Sequence, residues 1–360
     1  MERVYNFSAG PSMLPLPVLE RAQRDLVNYP GAGMSVMEMS HRSAAYEDII
    51  HRTEASLRAI MDIPEEYAVL FLQGGASTQF AMVPLNLMAE GGSADYAVTG
   101  QFAGKAATEA KKFGTVNVVA SSKEDNFTYV PRITADMLTP GASYLHITTN
   151  NTIFGTTYPE LPEAAGMPLV ADMSSNILGQ VYDVRDFGLI YAGAQKNMGP
   201  SGLTVVIVRK DLLGHAQSIA PTMLDYAIHA KNESMYNTPP CWSIYIAGLV
   251  YDWVRDMGGV AELEKLNRKK AGLLYEVLDA SKLFHGAARA DCRSIMNVTF
   301  TLPTEDLTKA FLAETVAAGM TNLKGHRAVG GIRASIYNAM PIEGVEKLAD
   351  LMRKFEAANG

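Results

Sequence analysis

Apolar runs and amphipathic stretches alternate through the first two thirds of the chain. Seven short apolar runs have the length and composition of buried strands; they cover residues 67–72, 95–100, 115–121, 143–149, 168–174, 189–194 and 203–209. Amphipathic stretches that predict helices follow the first two runs, as in TQFAMVPLNLMAE and FAGKAATEAKKF. Apolar strands separated by helices favour a largely parallel sheet that is covered on both faces. The pattern therefore predicts an α/β fold.

The pattern changes after residue 255 and predicts a second, smaller domain. A long amphipathic stretch, GGVAELEKLNRKKAGLLYEVLDAS, is followed by alternating strand and helix patterns over residues 295–302, 307–319, 331–338 and 345–358. No flexible linker is visible before these elements. We therefore expect three parts: an N-terminal arm (1–15) that packs with the small domain, a large domain (16–255) and a small α+β domain (256–360).

The composition, net charge and cysteine pattern argue against some classes of protein. The chain has 360 residues, of which 48% are hydrophobic, and its formal net charge is −7. An acidic chain of this kind argues against a general binder of polyanions such as nucleic acids. Cys241 and Cys292 form no CxxC pair, which favours two buried thiols in a reducing compartment.

No segment of the sequence predicts export or membrane insertion. The first residues, MERVYNFSAGPSMLP, lack the apolar core of a signal peptide. No window approaches the roughly 18 consecutive apolar residues of a membrane span. We therefore expect a cytoplasmic location.

Motifs for nucleotides, metals and serine nucleophiles are missing from the sequence. The stretch GQFAGK at 100–105 has too few residues between its glycines for a P-loop, and Ala106 follows the lysine in place of Ser or Thr. No GxGxxG follows a strand, and neither HExxH nor GxSxG occurs. We expect neither a nucleoside triphosphate site nor a bound metal.

The turn QGGAST at 73–78 lies between a predicted strand and a predicted helix. Its glycines allow backbone N–H groups and the helix dipole to point at an anion, commonly a phosphate. Ser77 and Thr78 would add hydroxyl donors. An ordinary strand-to-helix turn with a Ser or Thr cap is the alternative interpretation.

Two charged residues follow apolar runs of the same predicted sheet, Asp172 after PLVA and Lys196 after LIYAGA. Ligands bind at the carboxyl ends of the strands in such sheets. Taken alone, Asp172 could cap a turn and Lys196 could be a solvated loop residue. Together with the turn at 73–78 they match pyridoxal phosphate, which needs N–H donors for its phosphate, a carboxylate for its ring nitrogen and a lysine for its aldehyde.

Longer motifs make the chain resemble the phosphoserine aminotransferases, a family of class-V aminotransferases and fold-type-I pyridoxal phosphate enzymes. The resemblance runs almost from end to end, and the segments that carry it are NFSAGPSMLP, SVMEMSHRS, GGASTQF, YAGAQKNMGPSGLTVVIVR, YNTPP and KGHRAVGGIRASIYNAMP. It implies a large domain built on a mainly parallel, seven-stranded sheet and a smaller C-terminal α+β domain.

The resemblance also implies a role for each matching residue of the cofactor site. Lys196 would bind pyridoxal phosphate covalently and then move the substrate proton, and Asp172 would pair with the ring nitrogen. Phe102 would stack on the ring. The other contacts to the cofactor within one chain would come from Ala76, Ser77, Thr152 and Gln195.

A homodimer is implied as well, in which Asn237 and Thr238 reach the cofactor phosphate of the neighbouring subunit. Two positions depart from the family pattern. Many members have Trp where this chain has Phe102, which keeps an aromatic face but loses the indole N–H. Some bacterial members have Ser where this chain has Ala9, which cannot donate a hydrogen bond to the substrate.

Arginines and histidines in the same motifs match the substrate site of the family. Arg333 corresponds to the residue that holds the α-carboxylate, and a guanidinium suits a planar carboxylate because it donates two parallel hydrogen bonds. Two pairs, His41–Arg42 and His326–Arg327, would bind the phosphate of phosphoserine or the second carboxylate of glutamate. Surface salt bridges are the alternative interpretation for either pair.

We therefore expect transamination between L-glutamate and 3-phosphohydroxypyruvate, which gives O-phospho-L-serine and 2-oxoglutarate in serine biosynthesis. In bacterial relatives the same enzyme type also serves vitamin B6 synthesis through 4-phosphohydroxy-L-threonine. Two alternatives stay open. One is an aminotransferase for alanine or serine with glyoxylate, and the other is a protein of this fold that binds or regulates without catalysis.

Overall fold

Strands and helices alternate along the computed structural model, which describes residues 3–360. The strands are β1 (Tyr5–Asn6), β2 (Tyr67–Leu72), β3 (Ser93–Val98), β4 (Thr115–Ser121), β5 (Leu145–Thr148), β6 (Asn150–Asn151), β7 (Thr156–Thr157), β8 (Leu169–Asp172), β9 (Leu189–Gly193), β10 (Thr204–Arg209), β11 (His285–Gly286), β12 (Asn297–Thr301), β13 (Met320–Thr321) and β14 (Ile332–Ser335). The α-helices are α1 (Leu16–Asp25), α2 (Ala44–Met61), α3 (Gly75–Leu87), α4 (Gln101–Ala110), α5 (Tyr226–Lys231), α6 (Cys241–Asp256), α7 (Val260–Ala280), α8 (Glu305–Ala317) and α9 (Ile342–Asn359).

A seven-stranded sheet lies at the centre, with the strand order β2-β10-β9-β8-β5-β3-β4. The neighbours pair in parallel except β10, which runs antiparallel to both β2 and β9. All seven apolar runs that predict strands form this sheet, and the predicted mainly parallel α/β fold is confirmed. The carboxyl ends of β5, β8 and β9 therefore meet at one edge.

Helices bury both faces of the sheet at β2, β5, β8, β9 and β10, which explains why these strands do not alternate between apolar and polar residues. In β2, Val69 and Phe71 belong to a hydrophobic cluster that includes α2 and α6. Ala68 and Leu70, on the opposite face, belong to a cluster that includes α3 and α4. Successive side chains of a strand point to opposite faces, so a strand covered on both sides must be apolar throughout.

Four helices of the large sheet region, α1, α2, α5 and α6, have no counterpart in the sequence prediction. Helix α2 begins after Ser43, whose hydroxyl accepts a hydrogen bond from the backbone N–H of Tyr46. Helix α6 is apolar around much of its circumference and packs on α2. Because α6 is mostly enclosed, its sequence lacks the strong polar stripe by which a surface helix is recognised.

A second hydrophobic core is built by the C-terminal third of the chain. Strands β11, β12 and β14 form an antiparallel sheet, and Phe284, Phe300, Phe311 and Phe355 pack around it with α7, α8 and α9. Strand β1 joins this part of the molecule because it pairs in parallel with β13. We propose that this core is the small domain that the sequence predicts.

None of the helices within residues 3–360 is both long and apolar enough to cross a membrane.

Candidate active site

A cavity of about 280 Å³ opens where β5, β8 and β9 end. Nine residues that the sequence predicts for cofactor or substrate contact line it: Ala76, Ser77, Phe102, Thr152, Asp172, Gln195, Lys196, His326 and Arg333. They come from segments that are far apart in sequence, so only the fold brings them together.

Lys196 lies three residues after the end of β9 and lines the cavity. Burial lowers the pKa of its amine; the negative charge of Asp172 opposes this effect, and the positive charge of Arg333 adds to it. A lowered pKa increases the fraction of neutral amine, which is the form that acts as a nucleophile or a base.

The N-terminal arm packs directly on Lys196, which the sequence pattern does not reveal. The backbone N–H of Ser12 donates to the carbonyl of Gln195 at 3.0 Å, and the Ser12 hydroxyl donates to the carbonyl of Lys196. Gly10 has a φ of 142°, and a Cβ there would lie 3.4 Å from Cγ of Lys196. A glycine is therefore favoured by both the backbone conformation and the space beside the lysine.

Asp172 ends β8 and is buried, with 5% of its surface exposed. One carboxylate oxygen accepts a hydrogen bond of 3.0 Å from the backbone N–H of Ser174. Thr148 pairs with Asp172 in the sheet, and its buried hydroxyl has no hydrogen-bond partner within residues 3–360. This wall of the cavity therefore offers a fixed carboxylate and an unsatisfied hydroxyl.

The start of α3, in contrast to the carboxylate of Asp172, favours a negatively charged group of a ligand. Gly74 precedes the helix with a φ of 91°, and no side chain caps the first turn. Ala76 and Ser77 lie in that turn and line the cavity. The free N–H groups and the positive end of the helix dipole make this turn suited to an anion.

Phe102 supplies an aromatic wall near the amine of Lys196. It lies in the first turn of α4, and Nζ of Lys196 is 5.6 Å from the centre of its ring. Nζ of Lys105, one turn along the helix, is 5.4 Å from the same ring centre. A flat ring at this place can cover one face of a planar ligand.

Positive charge gathers at the end of the cavity formed by the C-terminal third. Arg333 lies on β14 and donates a hydrogen bond from Nη1 to the carbonyl of Thr152 at 3.3 Å. Partial burial lowers the pKa of His326, and the nearby positive charges of Arg333, Arg327 and Lys105 lower it further. This end therefore favours an anionic group of the ligand.

Five residues predicted for the site do not line this cavity: His41, Arg42, Asn237, Thr238 and Arg327. Arg42, Thr238 and Arg327 are exposed, whereas His41 is buried and its Nε2 has no hydrogen-bond partner within residues 3–360. Of the two predicted His-Arg pairs, His41–Arg42 therefore lies wholly outside the cavity of the single chain, and only His326 of the second pair lines it.

The comparisons with known proteins agree with this geometry. The family model for class-V aminotransferases matches residues 4–348. The chain belongs to the class-V aminotransferases. It is 55% identical over 359 residues to a phosphoserine aminotransferase of Bacillus cereus, with all of both chains covered. It is 56% identical to a phosphoserine aminotransferase of Listeria monocytogenes, with 99% of this chain and 98% of the relative covered.

Solved structures show the same class-V aminotransferase architecture. A phosphoserine aminotransferase from Bacillus circulans subsp. alkalophilus is 48% identical, covers 100% of both chains and superposes with a TM-score of 0.97. A phosphoserine aminotransferase with bound pyridoxal phosphate, from Trichomonas vaginalis, is 38% identical and superposes with a TM-score of 0.93 over 98% of this chain and 100% of that one.

The residues of this class-V aminotransferase fit pyridoxal phosphate, the cofactor of the family. The uncapped start of α3 suits its phosphate, and Asp172 suits its cationic ring nitrogen. Phe102 presents an aromatic face, and the amine of Lys196 is available for a covalent bond to the aldehyde.

Proposed function

We propose that this chain is a phosphoserine aminotransferase, which transfers an amino group between L-glutamate and 3-phosphohydroxypyruvate to give O-phospho-L-serine and 2-oxoglutarate. The observation that carries the proposal is one cavity that joins Lys196 and Asp172 to the cationic end at Arg333 and His326. Full-length similarity of about 55% to relatives that carry this name supports the choice of substrate.

Bound pyridoxal phosphate would supply an electron sink that stabilises negative charge at the substrate Cα. The protein must then hold the amino acid, remove the Cα proton and exclude competing reactions. Each of these tasks falls to residues of the cavity.

Lys196 is proposed to remove the Cα proton of the amino acid and to deliver it during the transfer. Burial and Arg333 lower the pKa of the amine, which increases the fraction of neutral amine that can accept a proton when it is not covalently occupied. Ser12 and Gly10 restrict the backbone and the side chain of Lys196 and thereby limit the positions that Nζ can reach.

Asp172 is proposed to hold a cationic ring nitrogen through its carboxylate. The N–H of Ser174 fixes the orientation of one carboxylate oxygen, which leaves the other for the ligand. A buried ion pair of this kind is sensitive to geometry because water cannot compensate for a poorly placed partner.

Arg333 is proposed to bind the α-carboxylate of the substrate. Its guanidinium is oriented by the carbonyl of Thr152, and the lining of the cavity places it on the same side as His326. His326 would then face the second anionic group, the phosphate of phosphoserine or the distal carboxylate of glutamate.

A homodimer is part of the proposal, since several predicted site residues lie outside the cavity of their own chain. Asn237 and Thr238 would contact the cofactor phosphate of the neighbouring copy. His41, Arg42 and Arg327 would complete the substrate site in the assembled dimer. The exposed positions of Arg42, Thr238 and Arg327 support this assignment because they leave these side chains free for a second chain.

A cytoplasmic location also belongs to the proposal. Cys241 and Cys292 are both free thiols, which suits a reducing compartment.

A single half-reaction tests the proposed function. The protein loaded with pyridoxal phosphate is mixed separately with L-phosphoserine, L-serine and L-alanine without any oxo acid, and the visible absorption of the cofactor is followed. Loss of the absorption with phosphoserine, much faster than with serine or alanine, is expected. Equal rates with all three would instead indicate a glyoxylate-type aminotransferase.

Two variants separate catalysis from binding in the same assay. Lys196→Ala should bind pyridoxal phosphate without a covalent bond and fail to turn over phosphoserine. Arg42→Ala should weaken phosphoserine binding more than cofactor binding. Robust turnover by Lys196→Ala would contradict the catalytic assignment, and equal losses in Arg42→Ala would indicate a structural role.

A further inference from the structure

Lys270 is a lysine in the middle of α7 that is completely removed from solvent, with 0% of its surface exposed. Its Nζ donates three hydrogen bonds to backbone carbonyls, at 3.0 Å to Ile336, 2.8 Å to Tyr337 and 3.1 Å to Met340. Only the charged amine has three N–H groups, so the three acceptors use its complete donor capacity.

No carboxylate forms an ion pair with Lys270 in the described part of the chain. Burial lowers the pKa of its amine to about 7, which reflects the free-energy cost of removing the charge from water. An apolar side chain of similar size would avoid that cost. The position of the three carbonyls indicates the structural role of the charged amine.

The three carbonyls belong to residues 336–340, the segment that follows β14 and the substrate arginine Arg333. This segment contacts the wall of the active-site cavity. The hydroxyl of Tyr337 donates to the carbonyl of Ala9 at 2.8 Å, and Ala9 lines the cavity.

The same segment also contacts the residue next to the reactive lysine. The backbone N–H of Asn338 donates to the side-chain oxygen of Asn197 at 3.0 Å. Asn267 lies one turn before Lys270 on α7, and its amide donates to the side-chain oxygen of Asn338 at 2.8 Å. Helix α7 therefore holds the segment at its backbone and at a side chain.

We propose that Lys270 is a positioning residue for the transamination reaction: by binding three carbonyls of residues 336–340, it fixes the contacts of that segment with Asn197 and Ala9. The inference rests on the proposed function for its kinetic consequence. The contacts lead from α7 through Tyr337 to Ala9, which precedes Gly10 beside Lys196, and through Asn338 to Asn197, which follows Lys196.

The competing explanation is that Lys270 only stabilises the fold. Leu274 provides a matched control, because it lies one turn further along α7 and is likewise 0% exposed. It belongs to the hydrophobic core of the C-terminal third. A Leu274→Ala substitution lowers stability through lost packing and leaves the three carbonyl contacts in place.

The test compares Lys270→Met, Lys270→Gln and Leu274→Ala, all loaded with pyridoxal phosphate. Thermal unfolding gives the loss of stability. The pH midpoint of the visible absorption of the bound cofactor reports the surroundings of Lys196 without any substrate. Steady-state transamination of L-phosphoserine with 2-oxoglutarate gives kcat and KM separately.

Lys270→Met is expected to lower kcat about 10- to 100-fold and to shift the absorption midpoint, since small displacements of catalytic groups have effects of this order. Lys270→Gln, which keeps two donors, should fall between it and the wild type. When it is assayed well below its melting temperature, Leu274→Ala should keep the wild-type absorption midpoint. Its kcat should lie within about twofold of the wild-type value. Adding Asn197→Ala to Lys270→Met should cost less than the product of the single effects, because both act through one contact.

The proposal would be overturned if Lys270→Met kept the wild-type kcat and the wild-type absorption midpoint. It would also be overturned if Leu274→Ala lost as much stability as Lys270→Met and showed the same changes in kcat and in the midpoint. If Lys270→Met does not fold, Lys270→Gln decides by the same criteria. If the wild-type protein does not react with phosphoserine, the proposed function fails, whereas the absorption midpoint still decides the role of Lys270.

Discussion

Nζ of Lys196 lies 5.6 Å from the centre of the Phe102 ring, within the range of a cation–π contact. The amine lies three residues after the end of β9, and the ring lies in the first turn of α4, the helix that follows β3. Their proximity places Nζ of Lys196 beside the aromatic wall on which we propose that the planar cofactor lies.

Replacing Phe102 tests that wall. Phe102→Ala is expected to weaken the binding of pyridoxal phosphate about tenfold, because an aromatic contact contributes roughly 0.5–1.5 kcal/mol beyond the buried area. Titration of the cofactor-free protein with pyridoxal phosphate measures the change. Phe102→Trp is the matched control and should bind at least as tightly as the wild type. Wild-type affinity in the alanine variant would remove Phe102 from the cofactor site.

Replacing Asp172 by asparagine tests the buried carboxylate. Asp172→Asn keeps an oxygen for the N–H of Ser174 but loses the negative charge, so the fold should survive while the half-reaction slows by about 10³-fold or more. Single-turnover absorption with phosphoserine measures the rate. Asp183→Asn, a substitution at an exposed carboxylate that caps a short helical turn, is the control and should react normally. A normal rate in Asp172→Asn would show that the charge has no catalytic role.

His326 predicts a pH dependence of substrate binding. Burial and the charges of Arg333, Arg327 and Lys105 lower its pKa below the ordinary value of 6.5 in the free protein, and a bound anion would raise it again. Affinity for L-glutamate should therefore be highest at low pH. It should decline as pH rises from the pKa of His326 in the free protein to the higher pKa of His326 in the complex. Glutamate is preferable to phosphoserine here because a phosphate itself titrates near pH 6.

Two histidine variants check this dependence in binding titrations between pH 5 and pH 8. His326→Gln should flatten the pH profile, whereas His285→Gln, at an exposed position on β11, should leave it unchanged. An unaltered profile in His326→Gln would assign the dependence to another group.

His146 predicts a loss of stability in acid. It is buried on β5, an interior strand of the sheet, where Nε2 is 2.9 Å from the hydroxyl of Tyr191, and burial lowers its pKa to about 3. The unfolded chain binds a proton near pH 6.5 that the folded chain accepts only near pH 3. Folding stability should therefore fall as pH decreases through this window, by up to about 1.4 kcal/mol per pH unit.

Chemical denaturation at several pH values measures this contribution. His146→Gln keeps a polar partner for Tyr191 but cannot titrate, so its free energy of unfolding should fall less steeply between pH 6.5 and pH 3. His285→Gln, at the exposed position, should follow the wild type. Identical slopes for His146→Gln and the wild type would show that His146 does not control the acid response.

Much of the fold can be predicted from the sequence because each strand of the central sheet has a composition that is recognisable within the strand itself. Strands buried on both faces are apolar throughout, and each strand of the central sheet begins and ends within two residues of a predicted apolar run. Helix α6 is not predicted, because the information that would identify it is not local in the sequence. It is mostly enclosed by neighbouring elements, and a chain segment does not reveal by itself which neighbours will cover it.

The sequence by itself determined the α/β class, the family motifs and the places of Asp172 and Lys196 after strands of one sheet. Only the tertiary structure decided which motif residues share a cavity: His326 and Arg333 line it, whereas His41, Arg42 and Arg327 do not. It also decided that Ser12 and Gly10 restrain Lys196, and that Lys270 holds the segment beside Asn197. The physical reason is that these contacts join residues far apart along the chain, whose distance is set by packing and leaves no local pattern in the sequence.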